Sequence, residues 1–105
     1  MPMPTLTAPK LVSSRDQARE LTESLPADLT GAVVVVDCAA LQASTPSFVD
    51  ELVKVVLVER NAKLLRLVSA REPTAELARR AAAVRQVADR LRIDQAPSVV
   101  SEGAG

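Results

Sequence analysis

Residues Ala32 to Val36 form an unbroken apolar run, β-branched from Val33 onward, that ends at Asp37. Apolar side chains at every successive position face both sides of a strand, so the run predicts a central strand of a sheet covered on two sides. Downstream, Thr45 can cap a helix that begins at Pro46, where a missing N–H costs nothing. Val49, Leu52, Val53 and Val56 make the inner stripe of that helix, and Ser47, Asp50, Glu51 and Lys54 share its opposite face by three- and four-residue spacing. The helix is expected over about Pro46 to Arg60. Strand, Asp-ended loop and hydroxyl-rich helix start together make a contact surface at the carboxyl end of a strand, where open α/β sheets place ligands and partners.

The flanking segments repeat the same alternation. Pro2, Pro4 and Pro9 rule out a helix at the start of the chain, and Lys10 to Ser13 is expected to supply a short first strand. Ser14 followed by Gln17 is a capping-box pattern, with Ala18, Leu21 and Leu25 at helical spacing behind it. This first helix should run from about Arg15 to Ser24. Lys63 to Ser69 predicts a further strand. Pro73 should open a third, long helix with Leu77, Ala81, Val84, Ala88 and Leu91 along one seam. Strands alternating with helices predict a small, mainly parallel α/β sheet built through βα crossovers with helices packed on it. The expected organisation is an arm over residues 1–9, a domain over 10–93 and a mobile tail over 94–105, in which Ser98 to Val100 can add an edge strand.

At 105 residues the chain has room for one core. What it lacks narrows its chemistry. There is no His, which removes the commonest general base and every imidazole metal site. Gly31 is the only glycine outside the last three residues, so no Gly-rich loop can cradle a phosphate. With Phe48 the sole aromatic residue, platforms for stacking bases are missing. Thirteen basic and thirteen acidic side chains cancel, leaving no long-range field to draw the chain to nucleic acid or to an anionic membrane. Cys38 has no disulfide partner in the chain, and a reducing cytoplasm is the simplest compartment. Neither a signal peptide nor a membrane span is expected.

The candidate residues are Asp37, Ser44, Thr45, Ser47, Asp50 and Glu51. Asp37 can cap its loop by accepting nearby backbone N–H groups. Thr45 is most simply the helix cap. Asp50 and Glu51 point about 100° apart on a helix, poor geometry for sharing a proton or a metal. Asp50 and Lys54 are spaced as an ordinary surface ion pair, and so are Glu76 and Arg80. Arg90 and Arg92 are placed to complement the C-terminal end of the third helix. Cys38, flanked by apolar residues and next to Asp37, is expected to be a buried, inert thiol.

Ser47, Phe48, Val49, Asp50, Glu51 and Leu52, together with the upstream Ser13 to Leu21 stretch SSRDQAREL, resemble STAS-like domains, relatives of the anti-sigma factor antagonists. The resemblance spans about Lys10 to Ile93. It implies a non-catalytic domain that docks a regulatory protein, such as a switch kinase or an anti-sigma-like partner, through the strand-end loop and the start of the second helix. It also implies regulation by phosphorylation there, with Ser47 the candidate. The Asp-Ser-Ser/Thr-Gly motif that is phosphorylated in the antagonists does not stand in this chain. Two rivals remain open. One is a carboxylate- or metal-dependent enzyme or phosphotransfer module using Asp37, Asp50 and Glu51, and the other is a self-associating subunit, in the simplest case a homodimer. The leading reading involves no cofactor, metal, nucleic acid or membrane insertion.

Overall fold

The computed structural model describes residues 3–95. Along the chain lie β1 (Thr5–Thr7), α1 (Arg15–Thr22), β2 (Val33–Asp37), α2 (Pro46–Val53), a π-helical continuation (Lys54–Glu59), β3 (Leu64–Ala70), α3 (Glu72–Val84), a 3-10 turn (Ala88–Arg90) and β4 (Leu91–Gln95). The four strands form one sheet in the order β1-β2-β3-β4, and every neighbouring pair is parallel. The expected α/β sheet is the one observed.

Strand order and crossover hand together set the layering. Parallel neighbours joined through a helix take the right-handed crossover. Three such crossovers advancing in one direction deposit α1, α2 and α3 on the same face of the sheet. Burial follows suit: Leu6, Val34, Val36, Leu65 and Leu67 are buried under the helices, whereas Val33, Val35, Leu64, Arg66 and Val68 on the other face are half-buried. The two-sided covering expected from the valine run is therefore corrected. An apolar residue at every position of β2 makes both faces apolar, but helices from the described residues cover only one.

The ends of the chain also differ from expectation. The first strand is Thr5–Thr7, inside the stretch expected to be an arm, and it pairs with Val35, Val36 and Asp37. Lys10 to Ser13 is no strand, although Leu11 makes an isolated bridge to Ala43. At the other end, Asp94 and Gln95 belong to the edge strand β4 rather than to a tail. The edge strand proposed for Ser98 to Val100 lies outside the described residues.

The third helix stops at Val84, well short of Leu91. Gln86 takes a left-handed backbone with φ 60°, Val87 N–H returns to the Ala82 carbonyl at 2.8 Å, and Gln86 N–H to that of Ala83 at 3.1 Å. These are the paired bonds of a Schellman motif, sealed by burial of Val87 against the helix. Gln stands where glycine is usual, so no glycine marks the stop. Arg90 and Arg92, expected at the C-terminal end of this helix, consequently lie beyond it.

The other two helices start as their sequences dictate. Ser14 and Gln17 close the capping box on α1, and Thr45 caps α2 with Pro46 in its first turn. After Val53 the helix widens into a π turn in which Arg60 N–H reaches the Val55 carbonyl, five residues back, at 2.9 Å. The wider turn lets Val55, Val56 and Leu57 all be buried in succession.

One-sided covering predicts unequal tolerance along β2. Val34→Asp puts an unpaired charge under the helices and should cost several kcal/mol, comparable to the whole stability of a small domain. Val35→Thr, on the open face, should cost less than about 1 kcal/mol. Urea unfolding of both variants checks this, and equal losses would contradict the layering. Phe48, 2% exposed beneath the helix layer, should cost about 3–5 kcal/mol on truncation to Ala in the same assay.

Candidate functional site

The carboxyl edge of β2 and the start of α2 form a knitted surface. Asp37 accepts the Ala39 N–H at 2.9 Å, the loop cap expected of it. The loop then pairs with the stretch after β1: Gln42 N–H donates to the Lys10 carbonyl at 2.8 Å, and Val12 N–H to that of Ala43 at 3.2 Å. This pairing leaves the Leu11 side chain 61% exposed beside the loop. Ser44 and Thr74 share a hydroxyl hydrogen bond at 2.8 Å, tying the loop to the first turn of α3. The Thr45 hydroxyl accepts the Phe48 N–H at 3.3 Å and donates to the Ser13 carbonyl at 2.9 Å, so its capping role also anchors the approach to α1. Ser47 is half-buried in the first turn of α2.

The two carboxylates of α2 do not form a free acidic face. As the middle of three helices on one side of the sheet, α2 is flanked on both sides, and arginines approach from each neighbour. Arg85, which caps the end of α3, grips Asp50 in a bidentate pair, with Nε to Oδ1 at 2.9 Å and Nη2 to Oδ2 at 2.7 Å. From α1, Arg15 donates to Asp50 at 2.9 Å and to Glu51 at 3.1 Å, and Arg19 Nη2 lies 2.7 Å from Glu51 Oε2. Glu51 is only 1% exposed. Its Oε2 meets Arg19 by charge but accepts no aligned hydrogen bond. The expected Asp50–Lys54 pair is replaced: Lys54 lies 3.5 Å from both Glu51 and Glu59. The expected Glu76–Arg80 pair is present at 3.0 Å.

These contacts set the ionisation of both groups. Asp50 is held at about 2, first by the Arg85 hydrogen bonds and then, against the opposing effect of burial, by Arg15. Burial pushes the Glu51 carboxyl up, but Arg15, Lys54 and Arg19 outweigh it and leave the group below its ordinary value. Burial, and after it the neighbouring Asp37 carboxylate, pushes the Cys38 thiol up to about 11, consistent with an inert side chain.

Strand alternation sends Asp37 to the open face with Val33 and Val35, away from the helices that carry Asp50 and Glu51. The three carboxylates required by an enzyme reading are thus not gathered. Among the described residues no group of three or more His, Cys, Asp or Glu side chains is placed to hold a metal ion. No helix among them is long and apolar enough to cross a membrane.

Beside the start of α2 the structure opens a feature with little sequence signal, a groove of about 240 Å³ between α2 and α3 lined by Pro46, Asp50, Leu77, Arg80, Ala81 and Val84. Val84 is 80% exposed there. Helical periodicity places it in an inner seam, but the face that α3 buries is made by Thr74, Ala75, Ala78, Ala81 and Ala82, and Val84 lies to one side of it. Two arginines also act where spacing gave no hint. Arg60 donates to the Thr22 and Leu25 carbonyls at 2.8 and 3.0 Å and closes the end of α1, and Arg90 donates to the Leu57 carbonyl at 2.9 Å at the end of the π turn. Comparison of the chain with protein-family models, curated proteins and solved structures finds no match in any of them.

A carboxylate whose value is depressed on folding contributes stability that is fully present above its unfolded value and lost as pH falls through its folded value. For Asp50 that window runs from its ordinary 3.8 down to about 2. Asp50→Asn should therefore cost about 1–2 kcal/mol at neutral pH, after allowance for solvent screening, and the difference should vanish towards pH 2. Urea unfolding across this range measures it, and a constant difference at all pH values would show that the ion pair is not its source.

Proposed function

We propose that this chain is a STAS-like, non-catalytic regulatory domain that works in the cytoplasm by docking another protein, of the switch-kinase or anti-sigma-like kind. The docking surface comprises Ser44, Thr45 and Ser47 at the start of α2, the loop that Asp37 closes, and the adjoining α2–α3 groove. The observation that carries this reading is the groove itself, an apolar trough between Pro46 and Val84 that adjoins the hydroxyl-rich helix start. An exposed apolar anchor beside a polar rim is the composition of a protein-docking patch. Exposed Leu11 extends the surface on the far side of the loop. Asp50 contributes as a groove wall already neutralised by Arg85, and Glu51, being buried, supports the surface from beneath without touching a partner.

Ser47 remains the candidate for phosphorylation, and the charges around it set how a phosphate would act. A phosphate there would add about −1.5 to −2 charge one helical turn from Asp50 and Glu51. Because both carboxylates are paired with arginines, the phosphate competes with them for Arg15 in addition to repelling them. The positive end of the α2 dipole favours the added anion, so the domain stays folded while its docking surface changes.

Val84→Glu and Ser47→Asp test the proposal against a partner captured by cross-linking in the native host. Each should keep the wild-type melting temperature within a few degrees and lose at least tenfold in affinity, roughly 1.4 kcal/mol. If both variants bind as the wild type does, this surface is not the docking site.

A further inference from the structure

The two edges of the sheet are not equivalent. β1 is three residues long, and Pro4 and Pro9 stand on either side of it without N–H groups to offer another strand, the usual protection of a sheet edge. β4 has five residues, and among the described residues it pairs on one side only, with β3.

β4 also carries an incomplete charge pattern. Arg66 and Arg92 are directly opposite each other across β3 and β4, and like charges so placed repel. Asp94 relieves Arg66, with Oδ2 2.5 Å from its Nε, but lies 3.9 Å from Arg92. Arg92, 67% exposed in its side chain, therefore lacks a close counterion among the described residues.

We infer that two copies of this chain pair antiparallel through β4, about a twofold axis at Ile93. In that register Arg92 faces Asp94 of the partner copy, Asp94 faces the partner's Arg92, and Ile93 meets its own equivalent. Residues directly opposite in an antiparallel pair share a face, so both ion pairs lie on the open side of the sheet and the isoleucine contact on the helix side. The arrangement is self-complementary and closed, as a twofold dimer requires. Pairing β4 with the β1 edge would be open-ended, and the prolines beside β1 oppose it. The helix nearest this edge offers no net charge to block the approach, since Arg79 is 3.3 Å from Glu72 and Gln95 bonds the same carboxylate. The product is a single eight-stranded sheet with all six helices on one face.

Charge reversal separates this interface from any other. Arg92→Asp alone and Asp94→Arg alone each set like charges across the axis and should weaken self-association at least tenfold in sedimentation equilibrium of the full chain. An equimolar mixture of the two variants restores Asp opposite Arg at both positions and should form a heterodimer. Circular dichroism verifies that each variant is folded. If Asp94→Arg is not, slower amide exchange of residues 91–95 at higher wild-type concentration, absent in Arg92→Asp, tests the same contact. A wild-type chain that stays monomeric into the hundred-micromolar range, or a dimer of equal strength in Arg92→Asp, would overturn the inference.

Discussion

The right-handedness of the βα crossover governs this molecule more than any single contact does. With strands in the order β1-β2-β3-β4, that hand leaves no freedom over where the helices go. All three line up on one face, α2 in the middle. This determines which half of each strand is core, why Val34 and Val36 are sealed while Val33 and Val35 are not, and why α2 has neighbours on both flanks.

A helix flanked in this way can carry charge only if its neighbours neutralise it. Burying a carboxylate costs several kcal/mol unless it is paired and hydrogen-bonded, and Glu51 is buried among Arg15, Arg19 and Lys54. Asp50, one residue on the other side, is taken by Arg85. Such a network contributes less net stability than an apolar contact of the same volume, because attraction and desolvation nearly cancel. Its effect here is positional: the ends of α1 and α3 are referenced to one turn of α2, and the groove wall between α2 and α3 is fixed with them. Arg60 and Arg90 act in the same way on the ends of α1 and of the π turn, so much of the chain's arginine is used inside the fold. The even charge balance of the sequence therefore reflects internal pairing as well as a mixed surface.

Both the groove proposed for docking and the edge proposed for self-pairing lie beside the segment that follows α2 and β3. The groove runs along the side of α3 that carries Leu77 and Val84, and the β4 edge, unpaired among the described residues, exists because the chain turns at Gln86 and returns as β4. A helix continued to Leu91 would have taken the turn residues and the first residue of the last strand. The left-handed Gln86 thus ends α3 in time for the chain to return as β4.

Local physics explains what was legible without coordinates. The caps at Ser14 and Thr45, the Pro46 start, the inner stripe from Val49 to Val56, the strand at Leu64–Ala70, the buried Phe48 and the buried Cys38 all follow from spacing and residue chemistry within a few positions. The stop of α3 at Gln86 is also local but carries no glycine to mark it, whereas the other departures depend on distant residues. Thr5–Thr7 is a strand because β2 is there to pair with it, and Glu51 is buried because α1 arrives with Arg15 and Arg19, more than thirty residues away. The sequence by itself determined the alternation of strands and helices, since periodicity, capping and β-branching act over one or two turns of chain. Only the tertiary structure decided which face of the sheet the described helices cover, which carboxylates are neutralised and which strands stand at the edges of the described sheet, because those outcomes depend on crossover hand and on side chains that meet only after the chain has folded.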